Sequence, residues 1–113
     1  MANNCDEGTL LASQENLKQL SDRIGAFDDT IRDAIKGSTG GTDGAFIQNG
    51  SNRANLKIGI AGQSDTTTGW ANAPSQCVTY ASCHDNLCLY DKLVGSVYGA
   101  DGNIAGDMKI LVQ

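Results

Sequence analysis

The densest run of reactive side chains in this 113-residue chain lies between Cys77 and Cys88 and holds Cys83, His84, Asp85 and Asn86; Cys5 is the only cysteine outside it. Three chemistries use these residue types. In the first, Cys77, Cys83, Cys88 and His84 complete a tetrahedral zinc or redox centre. The spacing speaks against it: there is no Cys-x2-Cys pair, and adjacent Cys83 and His84 are badly placed to face one ion. In the second, His84 activates Cys83 or Cys88 as a nucleophile. Neighbouring side chains usually point apart, so Cys83, His84 and Asp85 are not expected to form a triad. No nucleophile elbow, phosphate loop or paired-acid motif occurs elsewhere. No catalytic residue, metal or cofactor is therefore assigned, and the chain is expected not to be an enzyme. The third chemistry is covalent stapling, with Cys5, Cys77, Cys83 and Cys88 as candidates. Cys77 and Cys83 can bridge within one chain or to a neighbour, and Cys5 can join chains. A disulfide contributes about 2–4 kcal/mol. Free buried thiols acting as small apolar groups are the plain alternative.

Other polar residues carry weaker signals. Asp43, Asp65, Asp85, Asp101 and Asp107 are explained by turn chemistry, and Asp101-Gly102-Asn103 lacks the remaining spacing of a calcium loop. Trp70 is either an exposed anchor for a partner or a core residue. The formal net charge is −5, and the eight basic residues are scattered singly. A phosphate-binding face needs concentrated positive charge, so nucleic acid and anionic lipid are disfavoured as partners. The opening residues lack the basic and apolar regions of a secretory signal, and no stretch approaches the roughly 18 apolar residues of a membrane span. A protein made in the cytoplasm is expected.

The elements that must position these groups fall into two kinds. Leu10, Leu17, Ile24 and Ile31 recur every seven residues, and Ser13, Leu20, Phe27 and Ala34 follow each by three. That heptad pattern predicts a coiled-coil helix over 9–36 with a narrow apolar seam. Lys36 in the last turn and Gly37 behind it mark the end. Phe at a d position and Arg23 to Asp28, which has Arg at g and acid at e, favour three strands over two. The seam of the expected homotrimer comprises Leu10, Leu17, Leu20, Arg23, Ile24, Phe27, Asp28 and Ile31.

Residues 37–44 read as a Gly-rich linker. Beyond it, over 45–113, come short runs broken by Gly, Asn and Asp, several of them alternating, as in Leu56 to Ile60. Asn49-Gly50 and Asp101-Gly102 look like hairpin turns. The expected class is α+β: a trimeric coiled-coil helix followed by a small Gly-rich β domain, with 1–8 as an attachment segment.

That order of elements, with the Arg23–Asp28 motif, resembles bacteriophage virion accessory proteins: head fibres, capsid decoration proteins and short fibres. The resemblance implies a homotrimer on a capsid or tail surface, partnered by other virion proteins and exposed in the virion after host lysis. It equally admits a receptor- or glycan-binding fibre head presenting Trp70.

Overall fold

The computed structural model describes residues 8–97. Their regular structure is mostly helical, joined by long loops, with one two-stranded parallel sheet. A six-residue 3-10 turn, Gln14–Gln19, comes first and buries Leu17. Strand β1 (Ala26–Phe27) follows, then helix α1 (Asp29–Lys36), the short α2 (Phe46–Asn49) and α3 (Arg53–Ile60). A 3-10 turn at Pro74–Gln76 leads into β2 (Cys77–Val78), and α4 (Leu89–Val97) closes the described chain. Ala26 pairs with Cys77 and Phe27 with Val78 in parallel. A parallel pair needs a crossover, and here α1, α2 and α3 supply it.

The continuous helix over 9–36 does not form, and with it goes the trimeric coiled coil. Leu20 is already extended, with φ −97° and ψ 167°. Ser21, Asp22 and Gly25 favour turns over helix interiors, and a Cβ at Gly25 would lie 3.0 Å from the Gln76 carbonyl, so the chain there is committed to the sheet. Helix begins only after Asp28, whose carboxylate accepts from the Ile31 amide at 3.1 Å as an N-cap. The apolar recurrence survives only locally: Ile31 and Ala34 are buried against the chain's own helices.

The β-rich reading of the following region is also corrected. Leu56 and Ile60 lie four apart on α3, so the spacing that suggested a strand is equally helical. Gly59 lies on the face toward α1, where an added Cβ would sit 2.5 Å from Ile31 Cβ. Glycine there lets the two helices approach closely. Gly50 caps α2 in the left-handed region and forms no hairpin. The segment 37–44 is a clasped loop. Asp43 accepts from the Ser38 amide at 3.0 Å and hydroxyl at 2.6 Å. These bonds hold its carboxyl down at about 2. Buried Lys92 of α4 donates to the Ser38 carbonyl at 2.8 Å and also to that of Gly41. The expected attachment segment 1–8 lies almost wholly outside the described residues, as does Asp101-Gly102.

Candidate functional site at the strand ends

Parallel strands place their carboxyl ends on one side, and in α/β sheets that is where ligands bind. Here β1 runs into Asp28 and Asp29, and β2 into Thr79, Tyr80 and the loop carrying His84 and Asp85. The two consecutive aspartates divide the labour. Asp28 is fully buried. Beyond the Ile31 cap, it receives the Gln63 amide on both oxygens at 2.9 Å and the Cys77 thiol at 3.4 Å. Its own amide donates to the Val78 carbonyl at 3.0 Å, which extends the sheet ladder. Gln63 reaches it from a left-handed backbone, φ +54°.

Asp29 faces outward. It accepts from the Tyr80 hydroxyl and from Arg32 Nη1, the latter at 2.9 Å. Arg32 also donates to Tyr80 at 2.8 Å and to Asp33 at 2.7 Å. The Asp33 hydrogen bond is the main reason the guanidinium is held still more firmly charged than usual. Burial, and then the bond to Asp29, push the Tyr80 phenol up. The Phe27 ring, 64% exposed, meets Tyr80 edge-on with centroids 5.6 Å apart. One end of the sheet thus offers an aromatic pair beside a carboxylate, a phenol and a guanidinium.

The loop after β2 meets the other end of α1, about 10 Å along the helix from Asp29. His84 Nε2 and Asp85 Oδ1 lie 2.9 Å apart on side chains 92% and 75% exposed. Adjacent side chains do meet here, because the backbone turns between them and does not run as a strand. Beneath the pair, Lys36 Nζ donates to Asn86 Oδ1 at 2.7 Å and to the Leu87 carbonyl at 2.8 Å. Asn86 Nδ2 donates to Cys83 Sγ at 3.0 Å.

The residues named from sequence are dispersed. Of the proposed seam, Leu17, Asp28 and Ile31 are buried, Leu20 and Ile24 half-buried, and Leu10, Arg23 and Phe27 exposed. Only Phe27 and Asp28 belong to the strand ends. Cys77, Cys83 and Cys88 are free thiols, and Cys5 lies outside the described residues. Burial pushes the Cys77 thiol up to about 11. Among the described residues, no three of His, Cys, Asp and Glu are grouped to hold a metal ion, and no helix is long and apolar enough to cross a membrane. Trp70 is half-buried, and its indole N–H is the one buried side-chain polar atom without a partner among the described residues. It is no exposed tip. Asp29, Arg32, Tyr80 and Lys36 were missed as site residues. The available signal was an apolar pair, Ala26-Phe27, running into Asp28-Asp29: a strand end followed at once by a helix cap.

No family model matches the chain. Over 78 residues it is 37% identical to the pullulanase of Bacillus subtilis (strain 168), a match covering 62% of the chain and 10% of that protein. The crystal structure of apo pullulanase from Paenibacillus barengoltzii superposes with a TM-score of 0.75 and 34% identity, covering 91% of this chain and 16% of that one. The same enzyme with maltohexaose and α-cyclodextrin gives 0.71 and 38% over 81% of this chain. A mutant of it complexed with maltotetraose gives 0.75 and 33%. The chain thus resembles a small part of an enzyme. It spans about a tenth of the curated relative's length and 16% of the solved chain. These likenesses overturn the bacteriophage reading: neither a capsid decoration, fibre or fibre-head role nor a place in the virion is supported by proteins that are pullulanases.

Proposed function

We propose that the carboxyl ends of β1 and β2 form one wall of an α-glucan-binding cleft in a pullulanase-like protein. The observation that carries this reading is a coincidence. The end of the sheet where ligands are expected bears the Asp29–Arg32–Tyr80 cluster, and the loop that follows β2 carries the exposed His84–Asp85 pair. The pullulanase that the chain matches over 91% of its length was solved with malto-oligosaccharides bound. Sugar hydroxyls are both donors and acceptors. Carboxylates, imidazole and guanidinium pair with them, and the exposed ring of Phe27 suits the apolar face of a pyranose.

Glycosidic-bond cleavage proceeds through carboxylates and a positively charged sugar-like transition state. Asp29 at the strand ends and Asp85 on the loop after β2 are exposed carboxylates, and Asp85, open beside His84, is the better placed to touch a ligand. Two short strands supply a wall and not a whole cleft. On this reading binding belongs to the chain, and hydrolysis needs the remainder of a pullulanase-like fold.

Titration of the 15N-labelled chain with maltotetraose, beside cellotetraose as a β-linked control, tests the reading. Saturable shifts at Tyr80, His84 and Asp85 with the α-linked sugar only are expected. A spectrum unmoved by millimolar maltotetraose sinks it.

A further inference from the structure

We propose that Lys36 is a positioning residue for the His84–Asp85 pair, its buried ammonium clamping the loop after β2 onto the end of α1. The inference rests on the glucan-binding reading for its purpose, though not for its geometry. A lysine in the last turn of a helix is accounted for by the dipole alone, and there it is normally solvated. Lys36 is instead 1% exposed. Burying an ammonium is expensive unless hydrogen bonds replace its water, and burial accordingly pulls its pKa below the usual lysine value. The replacements come from one short segment: the Asn86 side-chain oxygen and the Leu87 carbonyl, 50 and 51 residues away in sequence.

Asn86 turns this contact into a brace. Its oxygen accepts from Lys36 while its amide nitrogen donates to Cys83 Sγ at 3.0 Å. His84 and Asp85 are the two residues spanned by that Asn86–Cys83 bridge. The pair itself is exposed and has little packing to hold it, so its orientation is inherited from the brace beneath. The other end of the clamp is fixed as well: the Lys36 carbonyl accepts from Gln48 Nε2 at 2.8 Å. A ligand-contacting pair is useful only when its supporting shell holds it in place.

Lys36→Met keeps the apolar stem and removes the ammonium. In this variant, 15N order parameters for residues 84–87 are expected to fall from near about 0.85 to below about 0.6, while those of α1 hold. Maltotetraose affinity is expected to drop by about tenfold or more. Asn86→Ala should produce most of the same loss, and adding it to Lys36→Met should cost less than about twofold more, because both break one brace. Asn86→Asp keeps an acceptor for the ammonium but loses the donor to Cys83 Sγ, so its affinity and loop order should fall between those of the parent and of Asn86→Ala. Loop order and affinity unchanged in Lys36→Met, or losses that multiply in the double variant, overturn the clamp. If Lys36→Met does not fold, Asn86→Ala alone decides: unaltered loop order rejects the proposal. If the parent chain binds no maltotetraose, the glucan reading fails and the clamp is judged on the order parameters.

Discussion

Asp28 and Asp29 are the same residue type, adjacent in sequence, and they do opposite things. Asp28 turns inward behind the sheet and is enclosed by donors from Ile31, Gln63 and Cys77. Asp29 turns outward, and its partners Arg32 and Tyr80 leave one side of it open. The difference teaches how a short parallel pair can keep one carboxylate for the fold and present the next to solvent. Where a strand ends and a helix begins, one residue must cap the helix and the next is carried a third of a turn round it. The fold therefore needs the first carboxylate and leaves the second exposed beside Arg32 and Tyr80.

The sharpest way to break this division is Asp28→Ala. It removes a helix cap and strands the Gln63 amide in a buried site. A lost cap is worth about 1 kcal/mol and an unsatisfied buried donor about 1–3 kcal/mol more. A loss of about 3 kcal/mol is expected from the urea midpoint. A loss below about 1 kcal/mol would mean that Asp28 is no more structural than its neighbour.

Gly59→Ala tests the packing that holds the inward side together. Alanine gains about 1 kcal/mol of helix propensity over glycine. Against this, its methyl would lie 2.5 Å from Ile31 Cβ, an atom too close to the backbone to swing away. Overpacking of this kind costs about 1–3 kcal/mol. A net destabilisation of about 1–2 kcal/mol is expected by chemical denaturation, whereas a stabilised variant would show that α1 and α3 do not pack this closely.

What was readable in the sequence was local. Lys36 and Gly37 mark the end of α1, but the Leu56 to Ile60 spacing that suggests a strand fits a helix equally, and Asn49-Gly50, which looks like a hairpin turn, ends α2. The seven-residue recurrence misled because a helical face of Ile31 and Ala34 looks alike whether it is buried by another chain or by α3. What joins the site is long-range. Gln63 meets Asp28 across 35 positions, Tyr80 meets Arg32 across 48, and Asn86 meets Lys36 across 50. No periodicity or motif encodes such pairings, so the cysteine cluster drew attention while Asp29, Arg32, Tyr80 and Lys36 did not.

On the outward side, Tyr80→Phe should separate stability from binding. The hydroxyl bridges Asp29 and Arg32, but those two remain paired without it at 2.9 Å. Stability should change by less than about 1 kcal/mol. If the cluster contacts sugar, maltotetraose affinity should fall by about fivefold, a loss of the size expected for one neutral hydrogen bond. A variant that loses stability and keeps its affinity would move Tyr80 to the structural side of the comparison.

The smallest effect, and the finest probe, is in the thiols. Cys77 donates its S–H to Asp28 on the inward side, while Cys88 is exposed and lies 3.0 Å from Asp91. Burial first, and then the Asp28 charge, raise the Cys77 thiol from 9.0 to about 11. The thiolate is the nucleophile, so at pH 8 iodoacetamide should label Cys88 well before Cys77, as peptide mass mapping would resolve. The sign of the linkage follows from the raised value. The neutral thiol's contribution to stability is fully present below about pH 9 and is lost as pH rises through about 11. Cys77→Ser should flatten that alkaline limb and leave the neutral-pH midpoint nearly unchanged. Equal labelling of the two cysteines at pH 8 would mean that the Asp28 side is as open to solvent as the Asp29 side, and the division between the two carboxylates would not stand.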